Sequence, residues 1–249
     1  MLLENRIALI TGSSRGIGAS TAKLFAEQGA AVAVNYNKSR DAALCVVEEI
    51  KSKGGNAIAV KADVTDFEQV EKMVERIARE LGSIDTLVIN ASMNFKYAPF
   101  IEQEWPDIER KILGEVKSFF NPCKLVVPSM MTRRSGCIIT VSSGLSKRPG
   151  KGFIAHSAAK AALNMLSNSL AQELAPFGIR VNAVAPGLTL TDATAWQPEE
   201  RKKKAAMANP MRRLGRPEDL AGAILFLASE YASYVNCGYL PVDGGTTVL

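Results

Sequence analysis

The sequence predicts an α/β fold: a doubly wound sheet of about seven parallel strands, flanked by helices on both faces, in a single domain. Three observations predict it. Short apolar runs alternate with amphipathic segments along the whole chain. The runs are nearly continuous in Ile, Val, Leu and Ala rather than alternately apolar and polar, as strands covered on both faces require. A glycine-rich turn, TGSSRGIG at 11–18, lies between the first run and the first helical segment.

RIALITG reads as the first strand, and IGASTAKLFAEQG as a helix that stops at Gly29. AVAVNY is the second strand. SRDAALCVVEEIKSKGG is a helix ending in paired glycines. NAIAVKADV, DFEQVEKMVERIARELG and IDTLVINAS continue the strand–helix–strand alternation. A long helical stretch follows over about 104–132. Pro122 inside it removes the bond to the carbonyl of Ser118 and predicts a bend. CIITVSS is the fifth strand, HSAAKAALNMLSNSLAQELAPFG a helix and IRVNAVAPG the sixth strand. PEDLAGAILFLASE is the last helix and GYLPVDGG the last short strand. No repeat or linker divides the chain. Residues 1–249 read as one domain, with a polar, basic stretch at about 188–210 that includes Trp196.

A chain of 249 residues can bury a large core, and its 47% hydrophobic and 22% charged residues are ordinary for a globular protein. No apolar run reaches ~18 residues, so no membrane span is expected. The start, MLLENRIALITG, lacks the order of a signal peptide. Cys45, Cys123, Cys137 and Cys237 are scattered, without a CxxC or a metal-like grouping. Free thiols, no metal and a cytoplasmic location follow as expectations. The net charge is +5, with basic clusters at 201–204 and 211–216 and a pair at Arg133 and Arg134. These are either solvated faces or attraction for an anionic cofactor, a CoA phosphate or an acidic carrier protein. Nothing resembles a nucleic-acid motif.

A glycine turn between strand and helix lets backbone approach a pyrophosphate at the helix N-terminus. A carboxylate at the end of the second strand would hold the ribose hydroxyls of NAD and repel a 2′-phosphate. Tyr36 stands there instead, flanked by Asn35, Asn37, Lys38 and Ser39, with Arg15 in reach from the glycine turn. The expected cofactor is therefore NADP(H).

Several motifs occur in one order: TGxxxGxG, Asp63–Val64, INAS at 89–92, a serine after the fifth strand, a residue four before a lysine, and PGLTLT at 186–191. Together they resemble the short-chain dehydrogenase/reductase family over the whole chain. The tail, NPMRRLGRPEDLAGAILFLASEYASYV followed by VDGG, is most similar to the 3-oxoacyl-carrier-protein reductase branch. The resemblance implies a Rossmann-like sheet. It implies cofactor contacts from Gly12, Ser14, Arg15, Gly16, Ile17 and Gly18, and from Asn35, Tyr36, Lys38 and Ser39. Asp63 and Val64 would flank the adenine, Asn90 and Ala91 would line the cofactor, and Lys160 would grip the nicotinamide ribose. Pro186, Gly187, Thr189 and Thr191 would also bind the cofactor, and the substrate loop at about 188–210 would close over the nicotinamide and substrate, with Trp196 as an apolar contact. It also implies a homotetramer or homodimer built through the long helix and the 156–175 helix. The substrate would be a small-molecule or thioester-linked carbonyl, carried on CoA or an acyl carrier protein. Arg134 matches one carrier-docking position, but Phe177 occupies the other.

Ser143 and Lys160 match the family's catalytic serine and lysine. The tyrosine that should stand four residues before the lysine is His156, the only histidine in the chain. NNAG reads INAS, so Ile89 and Ser92 replace an asparagine and the glycine. Aligning GEVKSFF with VNLKGAF puts Glu115 where an asparagine supports a proton relay. A histidine can donate a proton near neutral pH, but Lys160 disfavours imidazolium. A carboxylate at Glu115 is expected to offset that. Three readings stay open: a reductase with a rebuilt acid system of Ser143, His156, Lys160 and Glu115; a catalytically silent NADP-binding subunit of an active paralogue; and a lyase or isomerase using the same pocket. Tyr97 is a further candidate phenol.

Overall fold

The computed structural model describes residues 1–248; residue 249, the end of the predicted domain, lies outside the described residues. Seven parallel strands form one sheet: β1 (Ile7–Ile10), β2 (Ala31–Tyr36), β3 (Asn56–Lys61), β4 (Thr86–Ile89), β5 (Gly136–Val141), β6 (Ile179–Pro186) and β7 (Tyr239–Val242). Their spatial order is β3-β2-β1-β4-β5-β6-β7. Apolar runs pair in register across the centre, Leu9 with Leu87 and Leu87 with Ile138. The central strands are buried on both sides, which is why their sequences show no alternation.

Helices α1 (Gly16–Glu27), α2 (Arg40–Ser52) and α7 (Pro217–Ala228) cover one face, where Phe25, Val46, Val47 and Ile224 meet the sheet. Helices α3 (Phe67–Glu80), α4 (Trp105–Arg133) and α5 (Ile154–Leu174) cover the other, through Met73, Val126 and Leu163. Local chemistry sets several ends. The Asp66 carboxylate accepts from the Gln69 amide at 3.1 Å and caps α3. Arg134 ends α4 in the left-handed region at φ 52°. Helix α4 runs on through Pro122 and Pro128, so the predicted proline lies inside one helix.

The predicted loop at 188–210 holds more structure than expected. It contains a 3₁₀ turn, Asp192–Thr194, and a ten-residue helix α6, Glu199–Ala208. EERKKKAAMA has no apolar stripe to reveal it. Its Ala, Glu and Lys content favours helix, and Lys202 pairs with Glu199 at 2.8 Å.

Sheet order reverses between β1 and β4, and in such sheets ligands bind at the carboxyl ends of the strands beside that reversal. The glycine turn, Asn90–Ser92, Ser143 and Gly187–Thr191 all follow the carboxyl ends of their strands. No described helix is long and apolar enough to cross a membrane. All four cysteines are free thiols.

Candidate active site

The glycine turn is shaped by close approach. Gly12 has φ +61°, and a Cβ there would lie 2.9 Å from the Ala91 Cα. A Cβ on Gly18 would lie 2.6 Å from the Asn90 amide nitrogen. Asn90 Nδ2 donates to the carbonyls of Thr11 and Gly12, at 2.9 and 3.0 Å, and so ties the turn to β4. No side chain caps α1, whose first N–H groups open toward the crevice mouth. A dinucleotide pyrophosphate fits this cradle: a backbone without Cβ atoms, ending in unsatisfied donors.

Around the cradle the predicted residues divide. Arg15 is exposed, and its guanidinium lies 4.0 Å from Asp192 across the crevice. Lys38 is exposed and Ser39 half-buried beside it. Thr191 lies against Gly16, whose Cβ would come within 3.4 Å of its methyl group. Gly187 passes so close to Asp243 that a Cβ would meet its Cα at 2.9 Å. Asp63 accepts from Asn37 at 2.8 Å and from the Thr65 hydroxyl at 2.7 Å. Two expectations need correction. The Asn35 side chain is buried, accepting from the Gly12 amide at 3.0 Å and donating to Ala62 O at 3.1 Å. It braces the turn from beneath instead of reaching a ligand. Tyr36 packs into the core on the α1/α2 face, so its ring leaves the strand end open to the residues after it.

On the other side of the crevice lies a group of buried charges. Glu115 and Lys111 are wholly buried on α4 and Lys160 nearly so on α5. Glu115 Oε1 accepts from Lys111 Nζ at 2.5 Å, Ser92 Oγ at 2.5 Å and the Met93 amide at 3.1 Å. Its Oε2 accepts from Lys160 Nζ at 3.0 Å. Lys160 also donates to Val141 O at 2.9 Å, and Lys111 to Met93 O at 2.5 Å. Burial pushes the Glu115 carboxyl up, but Lys160 and then Lys111 outweigh it and hold the group at about 2. Burial draws Lys111 down to about 8 against the pull of Glu115, so it stays charged at neutral pH.

His156 stands beside this group on α5, half-buried. Its ring faces Phe95, centroids 4.8 Å apart, and Phe153 at 6.4 Å. Its Nδ1 is buried without a hydrogen-bond partner. Burial, then Lys160 and Lys111, lower its pKa to about 3, with Glu115 opposing. The expectation that Glu115 would favour imidazolium is thereby corrected. Burial among the apolar rings is the largest cause, and Lys160 with a second lysine, Lys111, outweighs the carboxylate's help. The imidazole is neutral at physiological pH.

Ser143 follows β5. Its Oγ accepts from the Leu145 amide at 3.2 Å, and its carbonyl accepts from the Tyr239 hydroxyl at 3.1 Å. This fixes the hydroxyl oxygen by a lone pair, so that its proton is free to donate. From His156 outward the rings continue as a wall: Phe153 to Tyr97 at 4.9 Å and Tyr97 to Trp196 at 5.5 Å.

A family model described as enoyl-(acyl carrier protein) reductase matches residues 12–247. The chain belongs to the short-chain dehydrogenase/reductase family. It is 40% identical over 240 residues to a 3-oxoacyl-[acyl-carrier-protein] reductase of Staphylococcus aureus, covering 96% of each chain. It is 36% identical over 248 residues to the enzyme of that description from Thermotoga maritima, covering 100% of each. A solved 7α-hydroxysteroid dehydrogenase, complexed with NADH and 7-oxo glycochenodeoxycholic acid, matches with a TM-score of 0.93 at 36% identity, over 98% of this chain and 94% of that one.

Within this short-chain dehydrogenase/reductase scaffold, the fold brings Glu115 to Lys160 and Ser92 to Glu115, as one network. Arg134 lies at the surface, at the end of α4. That guanidinium donates to Pro176 O at 2.6 Å and sits 5.9 Å from the Phe177 ring centroid. The residue that sequence reasoning missed is Lys111. Its signal was present, a lysine four positions before Glu115. Such pairs usually lie on a solvated face, and only the packing of α4 shows this one to be interior.

Proposed function

We propose that this protein is an NADPH-dependent reductase of a ketone or 3-oxoacyl thioester, working through Ser143 and a neutral His156. The observation that carries the reading is a whole family scaffold with Ser143 and Lys160 in place and a buried, unpartnered imidazole nitrogen at the tyrosine position. Buried polar atoms without partners are rare, and one at the expected reaction centre is a place for a ligand to bond. NADPH, when bound, supplies hydride to the carbonyl carbon. Ser143 donates its hydroxyl proton into a hydrogen bond on the carbonyl oxygen. His156, as neutral imidazole, offers a second neutral donor, a way of polarising a carbonyl that needs no imidazolium. Lys160, held by Glu115 and Val141 O, keeps a positive charge beside the developing oxyanion. The final proton comes from solvent.

Arg15 and Lys38 support the preference for NADPH, since both are exposed at the mouth of the cradle and no carboxylate follows β2 directly. Exposed Leu113 and Phe120 on α4 and Met165 on α5 support self-association through those helices, as a homodimer or homotetramer. One observation favours a second reading. The Lys160 ammonium is committed to Glu115 and Val141 O, so a silent cofactor-binding subunit would also keep this network as structure.

Purified protein with NADPH and a panel of 3-oxoacyl thioesters and simple ketones decides between them. Turnover that His156→Tyr lowers supports the reductase rebuilt around histidine. No turnover, with activity gained in the double substitution His156→Tyr and Glu115→Asn, supports the silent subunit.

A further inference from the structure

Basic residues crowd the segment around α6, and most are paired or fully solvated. Lys202 pairs with Glu199, Arg213 pairs with Asp219 at 2.6 Å, and Lys203 and Lys204 are exposed. Arg201 differs. It is half-buried, turned onto the aromatic wall with its guanidinium carbon 4.9 Å from the Tyr97 ring centroid and 5.4 Å from that of Phe153. Among the described residues it makes no ion pair and no hydrogen bond.

We propose that Arg201, held over Tyr97 and Phe153, is the recognition site for an anionic group, carboxylate or phosphate, carried by the substrate away from its carbonyl. The proposal rests on the reductase reading above and names the substrate class. A guanidinium against ring faces is held by cation–π attraction, which leaves its N–H donors unused. Those donors form a fork that matches two oxygens of one anion. The same wall leads through Phe153 and Phe95 to His156, so one ligand can lie along the rings with its carbonyl at His156 and its charge at Arg201. Next to apolar rings a charge-assisted pair is stronger than on an open surface.

The experiment compares matched substrates. A 3-oxo compound with a terminal carboxylate is set against its methyl ester, and a 3-oxoacyl-CoA against the same acyl group on N-acetylcysteamine, which lacks the phosphates. Wild type should favour the charged member of one pair by about tenfold in kcat/KM, chiefly through KM, the scale of one charge-assisted contact. Arg201→Met keeps an apolar stem on the rings and should remove that preference, leaving the neutral member within about twofold. Loss confined to the carboxylate pair identifies a free acid; loss confined to the CoA pair identifies phosphate. Equal loss on charged and neutral members, or no loss on either, overturns the proposal.

A binding arm keeps this test separate from turnover. Trp196 fluorescence, read in a Trp105→Phe background, is titrated with a medium-chain dicarboxylate, its dimethyl ester and CoA, all in the presence of NADP⁺. An anion that binds about tenfold more weakly to Arg201→Met supports the site even if no carbonyl is reduced. Unchanged affinity for every anion refutes it.

Discussion

At the glycine turn, polar atoms are held by backbone shape: missing Cβ atoms, a left-handed Gly12, and two asparagines, Asn35 and Asn90, that stitch the loop to its neighbours. Across the crevice nothing comparable exists. There Lys111, Glu115 and Lys160 hold one another, with Ser92 and two carbonyls completing their bonds. The first region is held by close approach and neutral hydrogen bonds, so a change there costs sterically, at the residue changed. In the second the cost spreads, because each charge is the reason its neighbour can be buried. The family's usual asparagine would leave Lys111 unpaired in this position. The carboxylate, Lys111 and Ser92 therefore act as one group spread over three places. Their charges cancel, so with Lys160 the whole group carries the single positive charge that Lys160 would carry alone.

The comparison is broken most severely by removing Glu115. Glu115→Ala leaves two buried ammonium groups facing each other and should cost about 3–5 kcal/mol of stability, read as a lower urea midpoint. Adding Lys111→Met should recover part of that loss, with a coupling of about 1–3 kcal/mol between the two positions. A loss below about 0.5 kcal/mol, the range of ordinary surface changes, would show that the group is not held by its charges.

A milder effect is expected at the cradle. NADPH should bind roughly tenfold more tightly than NADH, a difference of about 1.4 kcal/mol. Arg15→Ala combined with Lys38→Ala should erase that margin without changing NADH affinity. Cofactor fluorescence titration reads both, and equal affinities in wild type would remove the phosphate site.

The smallest change is expected with pH. The imidazole titrates near 3 in the folded chain, below its unfolded value of ~6.5. Its contribution to stability is therefore complete above ~6.5 and is lost as pH falls toward 3, since the unfolded chain takes up the proton first. Turnover should vary less than about twofold between pH 5 and 7.5, because no imidazolium is consumed there. An alkaline fall with a midpoint at 6–7 would return the proton-donor role to His156⁺. Change is expected only near pH 8 and above, where Lys111 begins to lose its proton.

The strands and the glycine turn were legible because apolar runs and TGSSRGIG are contiguous in sequence. Ser143, His156 and Lys160 could be named as candidates because the motif of the family that the chain resembles falls on one strand end and one helix. The state of His156 was not legible, because it depends first on burial against rings from distant segments, then on Lys160 and on the buried Lys111, 45 positions away. Nor was the aromatic wall, whose rings come from the loop after β4, the start of α5 and the segment before α6. Helix α6 was hidden by its even polarity. In each case the missing information was which side of an element faces inward.

The buried network also constrains the order in which such a site can be assembled or dismantled. Beside an existing Lys160, a carboxylate at 115 arrives as half of a neutral pair. A lysine at 111 arriving first would place two like charges together with nothing between them. Glu115 must therefore enter before Lys111 or together with it, and Lys111 must leave first on the way back. A chain holding Lys111 and Lys160 without Glu115 is the least stable combination of the three, so stepwise laboratory evolution of this protein should pass around it.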